Sequence, residues 1–149
     1  MIKMKINRIL YLLCFLFISI MNANAQTYSL SQLQGKIWHA KSGYSYEPLL
    51  FWDISFNDKQ CLYKYRPKEI SKQCPQEVTK RIDYYLCSTI PLKYDEKQSS
   101  TKGSDILFKQ RLNYEGHQRE VFWYAKIKSI NSSTLILETE EGTITFESI

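Results

Sequence analysis

Apolar and polar residues alternate along most of the chain after Gly35, in short runs separated by polar turns. A period of two belongs to a β-strand with one buried face. Eight strands are expected: residues 35–41, 49–56, 59–66, 79–87, 105–114, 119–130, 133–139 and 143–149. In the second, Leu50, Trp52, Ile54 and Phe56 share one face, and Phe51, Asp53 and Ser55 share the other. In the fourth, Ile82, Tyr84 and Leu86 lie together. Asn57-Asp58, Glu115-Gly116, Asn131-Ser132 and Glu141-Gly142 supply tight turns, and Pro67 ends the third strand because it cannot continue a ladder. The case for helix is confined to Thr27–Gly35, where Leu30 and Leu33 are three apart and Gly35 acts as a stop. Residues 88–104, rich in Lys and Ser, form the longest irregular stretch and are expected to be a lid, a binding loop or a mobile tail of the fourth strand.

Antiparallel strands in this number must hide their edges. A closed barrel hides them fully and a two-sheet sandwich partly. Sequential short turns favour an all-β, eight-stranded antiparallel up-and-down barrel, preceded by a short helical turn. An immunoglobulin-like sandwich is the alternative, but it needs long crossovers, for which the chain has few places.

The first 25 residues change where this barrel is expected to work. Lys3, Lys5 and Arg8 precede an apolar run over residues 9–20, followed by Ala23-Asn24-Ala25. A basic start, a short apolar core and an Ala-x-Ala site make a secretory signal cleaved after Ala25. The run is shorter than the roughly 20 residues of a spanning helix, and Cys14 is one of its hydrophobes. The expectation is one domain over residues 26–149, periplasmic or secreted, without a transmembrane segment. The whole chain carries a formal charge of +5, and three of its basic residues lie in the signal. The remaining balance is a solvated surface and not a nucleic-acid footprint.

Export permits a disulfide. Beyond the signal the cysteines are Cys61, Cys74 and Cys87. Three is odd, so at least one stays free or pairs elsewhere. Either strand cysteine could pair with Cys74; Cys61–Cys74 is placed first because it would close a short loop. Thirteen-residue spacings without a local Cys or His pair do not fit a zinc site, and no metal or cofactor is expected.

Leu33-Gln34-Gly35-Lys36-Ile37-Trp38, at the first strand after a short N-terminal segment, resembles the Gly-x-Trp start of lipocalins and of lipocalin-like secreted bacterial proteins. The end of the chain is similar to the last two strands of those families, through Thr134, Leu135 and Leu137 and then Ile144 and Phe146. The resemblance implies an eight-stranded barrel whose base is closed by Trp38, with Gly35 letting the chain approach closely, and an interior able to hold a small apolar ligand. The expected wall is Trp52, Ile54, Phe56, Ile82, Tyr84, Leu86 and Trp123, with desolvation as the driving force.

Other chemistry is thinly supported. Lys64, Arg66 and Lys68 beside Tyr63 and Tyr65 read as a wet strand end, and Asp53 as solvent-exposed. His39, expected to face inward near the barrel base, and His117, in a turn, are the only histidines. A nucleophilic site needs a histidine with a placed base and nucleophile, so a pocket joining His39 to a cysteine or carboxylate would be needed to argue for an enzyme. The sequence holds no Gly-x-Ser-x-Gly, phosphate loop or His-Glu-x-x-His. The expectation is a non-catalytic binding protein for a small hydrophobic ligand. The alternative is a protein-binding module, an inhibitor or adaptor whose partner is an envelope protein, using the loop aromatics Tyr44, Tyr46 and Tyr94 as anchors.

Overall fold

A computed structural model of the protein describes residues 26–69 and 76–149. The expected signal, and Cys74 with it, lie outside the described residues. Among the described residues there are ten strands: β1 (Tyr28–Ser29), β2 (Ile37–Ser42), β3 (Leu50–Phe56), β4 (Gln60–Pro67), β5 (Val78–Cys87), β6 (Lys102–Gly103), β7 (Asp105–Tyr114), β8 (His117–Ile130), β9 (Thr134–Thr139) and β10 (Gly142–Ser148). The helix α1 spans Leu30–Leu33.

Eight of the strands close into an antiparallel barrel in the order β2-β3-β4-β5-β7-β8-β9-β10, with β10 returning to β2. Each barrel strand pairs with the strands that precede and follow it around the ring, which is the up-and-down arrangement expected from the short turns. Closure pairs every barrel strand on both sides around the ring, apart from strand ends that run beyond it. Alternation places the side chains. Trp38, Ile54, Phe56, Ile82 and Leu86 are at most 2% exposed and fill the interior. Leu135, Leu137, Ile144 and Phe146 complete it from the chain's end.

Strand β8 is 14 residues long and does not hold one phase. Its register slips between Ile127 and Ser129, so that Ile127 faces Leu137 and Ile130 faces Leu135. The slip lets both isoleucines reach the same core and bends the strand around the barrel. The other end of β8 pairs with β7 out to Tyr114–His117, and this ribbon projects beyond the barrel with its tip exposed.

One end of the barrel is sealed. Helix α1 lies across it, and Trp38 is fully buried there with its indole N–H donating to the Leu33 carbonyl at 2.9 Å. Gly35 ends the helix with φ +73°, in the left-handed region that favours glycine. A Cβ at Gly35 would meet nothing within 4 Å. Its role is thus conformational, which corrects the expected close approach of the chain. Of the alternatives for residues 88–104, the mobile tail is corrected. These residues are fastened to the barrel as a strap: β6 pairs with β1, Ser100 bridges to Leu86, and the Tyr94 ring lies 4.8 Å from Tyr85 and 6.1 Å from Phe122. The strap covers the outer wall near the sealed end and leaves the opposite end open.

At the open end Gly43 follows β2 with φ +86°, and a Cβ there would sit 1.9 Å from the Thr143 carbonyl oxygen. Both the backbone angle and the space require glycine. Gly43→Ala is expected to cost about 1–3 kcal/mol, the range for forced overpacking. Urea denaturation would measure it, and a change within error of zero would show that this corner can relax.

Candidate functional site: an aromatic cavity at the open end

The barrel is not solid throughout. A cavity of about 390 Å³ opens at the end opposite Trp38. Its walls include Tyr44, Trp52, Tyr63, Tyr65, Phe108 and Trp123. Strand phase puts them there: Trp52 on β3, Tyr63 and Tyr65 on β4, Phe108 on β7 and Trp123 on β8 all point inward, and Trp52 pairs with Tyr65 as Phe108 does with Trp123.

The rings brace one another. Trp52 and Tyr65 stack with centroids 5.9 Å apart and planes 14° apart, and Phe108 and Trp123 stack at 5.4 Å and 17°. Trp52 also meets the edges of Tyr63 at 5.1 Å and Phe146 at 5.2 Å. Such pairs add stability beyond area burial and hold the walls rigid. Burial pushes the Tyr63 phenol well above its ordinary value, opposed by the indole N–H of Trp123. Burial likewise pushes Tyr65 up to about 12. Both rings are therefore neutral hydrogen-bonding groups at physiological pH. On the rim, the Tyr44 hydroxyl donates to the Leu50 carbonyl at 2.8 Å, and Ser45 donates to Glu141 at 2.5 Å.

Of the expected ligand wall, Trp52 and Trp123 line this cavity. Ile54, Phe56, Ile82, Tyr84 and Leu86 also point inward, but they lie deeper and are at most 3% exposed, packed into the sealed half. Phe56 and Tyr84 meet edge to face at 5.1 Å, and the Tyr84 hydroxyl donates to the Asn57 carbonyl at the base turn. Tyr63, Tyr65 and Phe108 were not among the expected wall residues. The signal for the first two was present: in Gln60–Pro67, Cys61, Tyr63 and Tyr65 share one phase, and the basic residues share the other. The wet strand end is only the outer face of β4.

Cys61 is a fully buried free thiol whose Sγ–H points to the Ile82 carbonyl at 3.5 Å, and burial raises it far above its ordinary value. It is a protonated core residue. Its expected partner Cys74 is among the residues not described. Cys87 is also a free thiol, pushed up to about 11 by burial and by Asp105.

The outer wall holds an unexpected cluster. His39 faces outward, opposite to Trp38 on the same strand, and its Nδ1 lies 2.6 Å from Asp53 Oδ1. Asp53 is 5% exposed, which corrects the expected solvent exposure. Its second oxygen accepts from Arg66 at 2.9 Å. The Phe51 ring covers the group, with Arg66 5.8 Å and Lys68 5.2 Å from its centroid. The expected inward direction of His39 is therefore wrong: register opposes it to Asp53 on the outer face. A histidine joined to a carboxylate is present, but it lines neither described cavity, and both carboxylate oxygens are already engaged, one by His39 and one by Arg66. The arrangement ties β2, β3 and β4 together across the outside of the barrel.

A second, larger cavity of about 920 Å³ lies between the strap and the base turn, beside Asp83, Tyr84, Tyr94 and Glu96. Its acids have partners. Asp83 accepts from Gln60 at 2.8 Å, and Lys109 lies 3.7 Å from both Asp83 and Glu96. It is a polar cleft with internal partners, whereas the mouth cavity presents converging apolar walls, the usual form of a small-molecule site. No group of three or more His, Cys, Asp or Glu side chains that could hold a metal occurs among the described residues. Nor is any helix among them long and apolar enough to cross a membrane.

Fold and cavity together define the class: a closed antiparallel eight-stranded β-barrel, sealed at one end and carrying an aromatic cup at the other. Comparison with protein families, with curated proteins and with solved structures finds no match to this chain.

Proposed function

We propose that this chain is an exported, lipocalin-like binding protein, periplasmic or secreted, that holds a small hydrophobic ligand in the aromatic cup and does not transform it. The observation that carries the reading is the asymmetry of the barrel interior. The half next to Trp38 is filled by Ile54, Phe56, Ile82 and Leu86, whereas the other half keeps a void of about 390 Å³ walled by rings. Rings braced against one another keep such a void from collapsing. An apolar molecule placed there would exchange water for ring faces, which favours binding through desolvation.

Native mass spectrometry of the protein purified from its own host tests this. The expected result is one small apolar molecule per chain, lost on extraction with organic solvent. A chain that comes out empty and binds no ring-containing probe would sink the reading. A second reading has one observation in its favour: Tyr46, Leu49, Val78, Leu112 and Tyr114 are exposed around the same open end. An apolar rim of that kind suits an envelope protein partner, and a retained protein in the same experiment would select it.

A further inference from the structure

We propose that the cup takes a flat, ring-containing molecule bearing a hydrogen-bond-accepting acidic head, a carboxylate, which the Trp52 indole N–H and the Lys80 ammonium hold. The proposal rests on the ligand-binding reading above and names the chemistry of its ligand.

The three tryptophans make the argument. Trp38 donates its N–H to the Leu33 carbonyl, and the Trp123 indole lies beside Tyr63, whose phenol it holds down against the rise that burial causes. Trp52 is the exception: its Nε1 is buried and has no hydrogen-bond partner among the described residues. An indole nitrogen is only a donor, and a buried donor left unpaired is unfavourable. Trp52 is also the cavity-wall tryptophan that touches the most other rings, namely Tyr44, Tyr63, Tyr65 and Phe146. Its orientation is held by packing, with the N–H unmatched. An acceptor on a bound molecule would satisfy it.

Lys80 makes the acceptor anionic. On β5 the inward phase runs Lys80, Ile82, Tyr84, Leu86, and Lys80 pairs across to Tyr63. It is the only basic residue lining the cup, and no ion pair engages it among the described residues. Some lysines on the outer wall are paired, Lys41 with Glu147, Lys64 with Glu77 and Lys128 with Glu138; Lys80 differs from the unpaired outer lysines in lining the cup. The acids of the rim, Glu140 and Glu141, sit in the turn between β9 and β10, and Ser45 already donates to Glu141. An acidic head is therefore directed to the β3–β5 wall. The two stacked pairs, Trp52 on Tyr65 and Phe108 on Trp123, offer flat faces to a planar body.

The test is equilibrium dialysis of residues 26–149 against naphthalene, 2-naphthoate and 2-naphthylmethylammonium, which share a ring system and differ in the head. We expect 2-naphthoate to bind at least about tenfold more tightly than naphthalene, as a charge-assisted hydrogen bond implies. Trp52→Phe keeps a stacking ring and deletes the N–H; it should lower the naphthoate affinity about tenfold more than it lowers the naphthalene affinity, so the preference for the acidic probe shrinks even if both bind more weakly. Lys80→Met, at an exposed position, should act in the same direction and covers the case in which Trp52→Phe fails to fold. Equal affinities for all three probes would overturn the acidic head while leaving the apolar cup intact. Tightest binding of the ammonium would overturn it in favour of a cation cage. Failure of every probe would overturn the binding reading as well.

Discussion

Trp38→Ala is expected to destabilise the protein by about 3–5 kcal/mol, the range for removing a fully buried tryptophan. Three effects combine at this position. Trp38 has no exposed surface, so truncation leaves a hole at the base of the barrel. Its indole N–H is the donor for the Leu33 carbonyl at the end of α1, so that acceptor loses its bond. The Lys36 ammonium lies 5.0 Å from the ring centroid and loses that contact too. Since domains of this size are stable by about 5–15 kcal/mol, the loss is a large fraction of the total. Urea denaturation followed by circular dichroism would measure it. Trp38→Phe, which refills most of the volume but cannot donate, should recover part of the loss. An equal loss from Trp123→Ala would be unexpected, because that ring borders a void and its removal enlarges an existing space. If Trp38→Ala is nearly neutral, the base is not sealed as described.

Raising the pH above about 10 is expected to unfold the barrel steeply. Tyr63, Tyr84 and Cys61 are buried, and desolvation raises all three above their ordinary values of 10.0 for the phenols and 9.0 for the thiol. In the folded state they keep their protons; in the unfolded chain they release them at the ordinary values. The unfolded state thus binds fewer protons at alkaline pH, and stability falls as pH rises. It is undiminished below about pH 9 and falls by roughly 1.4 kcal/mol per pH unit for each group that has passed its unfolded value. With all three engaged above pH 10, the slope is on the order of 4 kcal/mol per unit. Tyr65, raised to about 12, and Cys87, raised to about 11, act in the same direction. Urea midpoints measured at successive pH values would show the slope. Tyrosinate absorbance should rise cooperatively with unfolding, and Tyr84→Phe should flatten the slope by roughly 1.4 kcal/mol per pH unit, the share of one group. Phenols that titrate near 10 while the circular dichroism stays native would contradict the burial.

The open and sealed halves of one barrel have different physical demands. The sealed half is stabilised by close packing, and Ile54, Phe56, Ile82 and Leu86 contribute by filling space. The open half keeps Trp52 and Trp123 at a void, where ring–ring contacts substitute for a filled core. The His39–Asp53–Arg66 cluster on the outer wall belongs to neither. It links three neighbouring strands close to the level of the cup and shows that a carboxylate on an outward phase can still be buried by its cross-strand neighbours.

Side-chain facing was legible in the sequence because it is a local property. A period of two assigns each residue of a strand to one side before its partner strand is known. That is why the eight barrel strands and the inward direction of Trp52, Ile82 and Leu86 could be read from the chain; the burial of Trp38 was expected from the likeness of Leu33–Trp38 to a Gly-x-Trp start, and the expected inward His39, on the opposite phase, ran against it. The number of short turns then favoured a closed ring over a sandwich. Depth within the ring was not legible. Whether an inward residue meets packed neighbours or a void depends on the stagger of strands distant in sequence, which is set when β10 closes onto β2. Tertiary structure therefore separated Ile54 and Phe56 in the sealed half from Tyr63, Tyr65 and Phe108 at the cup. It also decided that Asp53 is buried between His39 and Arg66, and that the indole of Trp52 meets no acceptor. Alternation sets the side of the sheet on which an atom lies; only closure of the barrel sets which atoms it meets there.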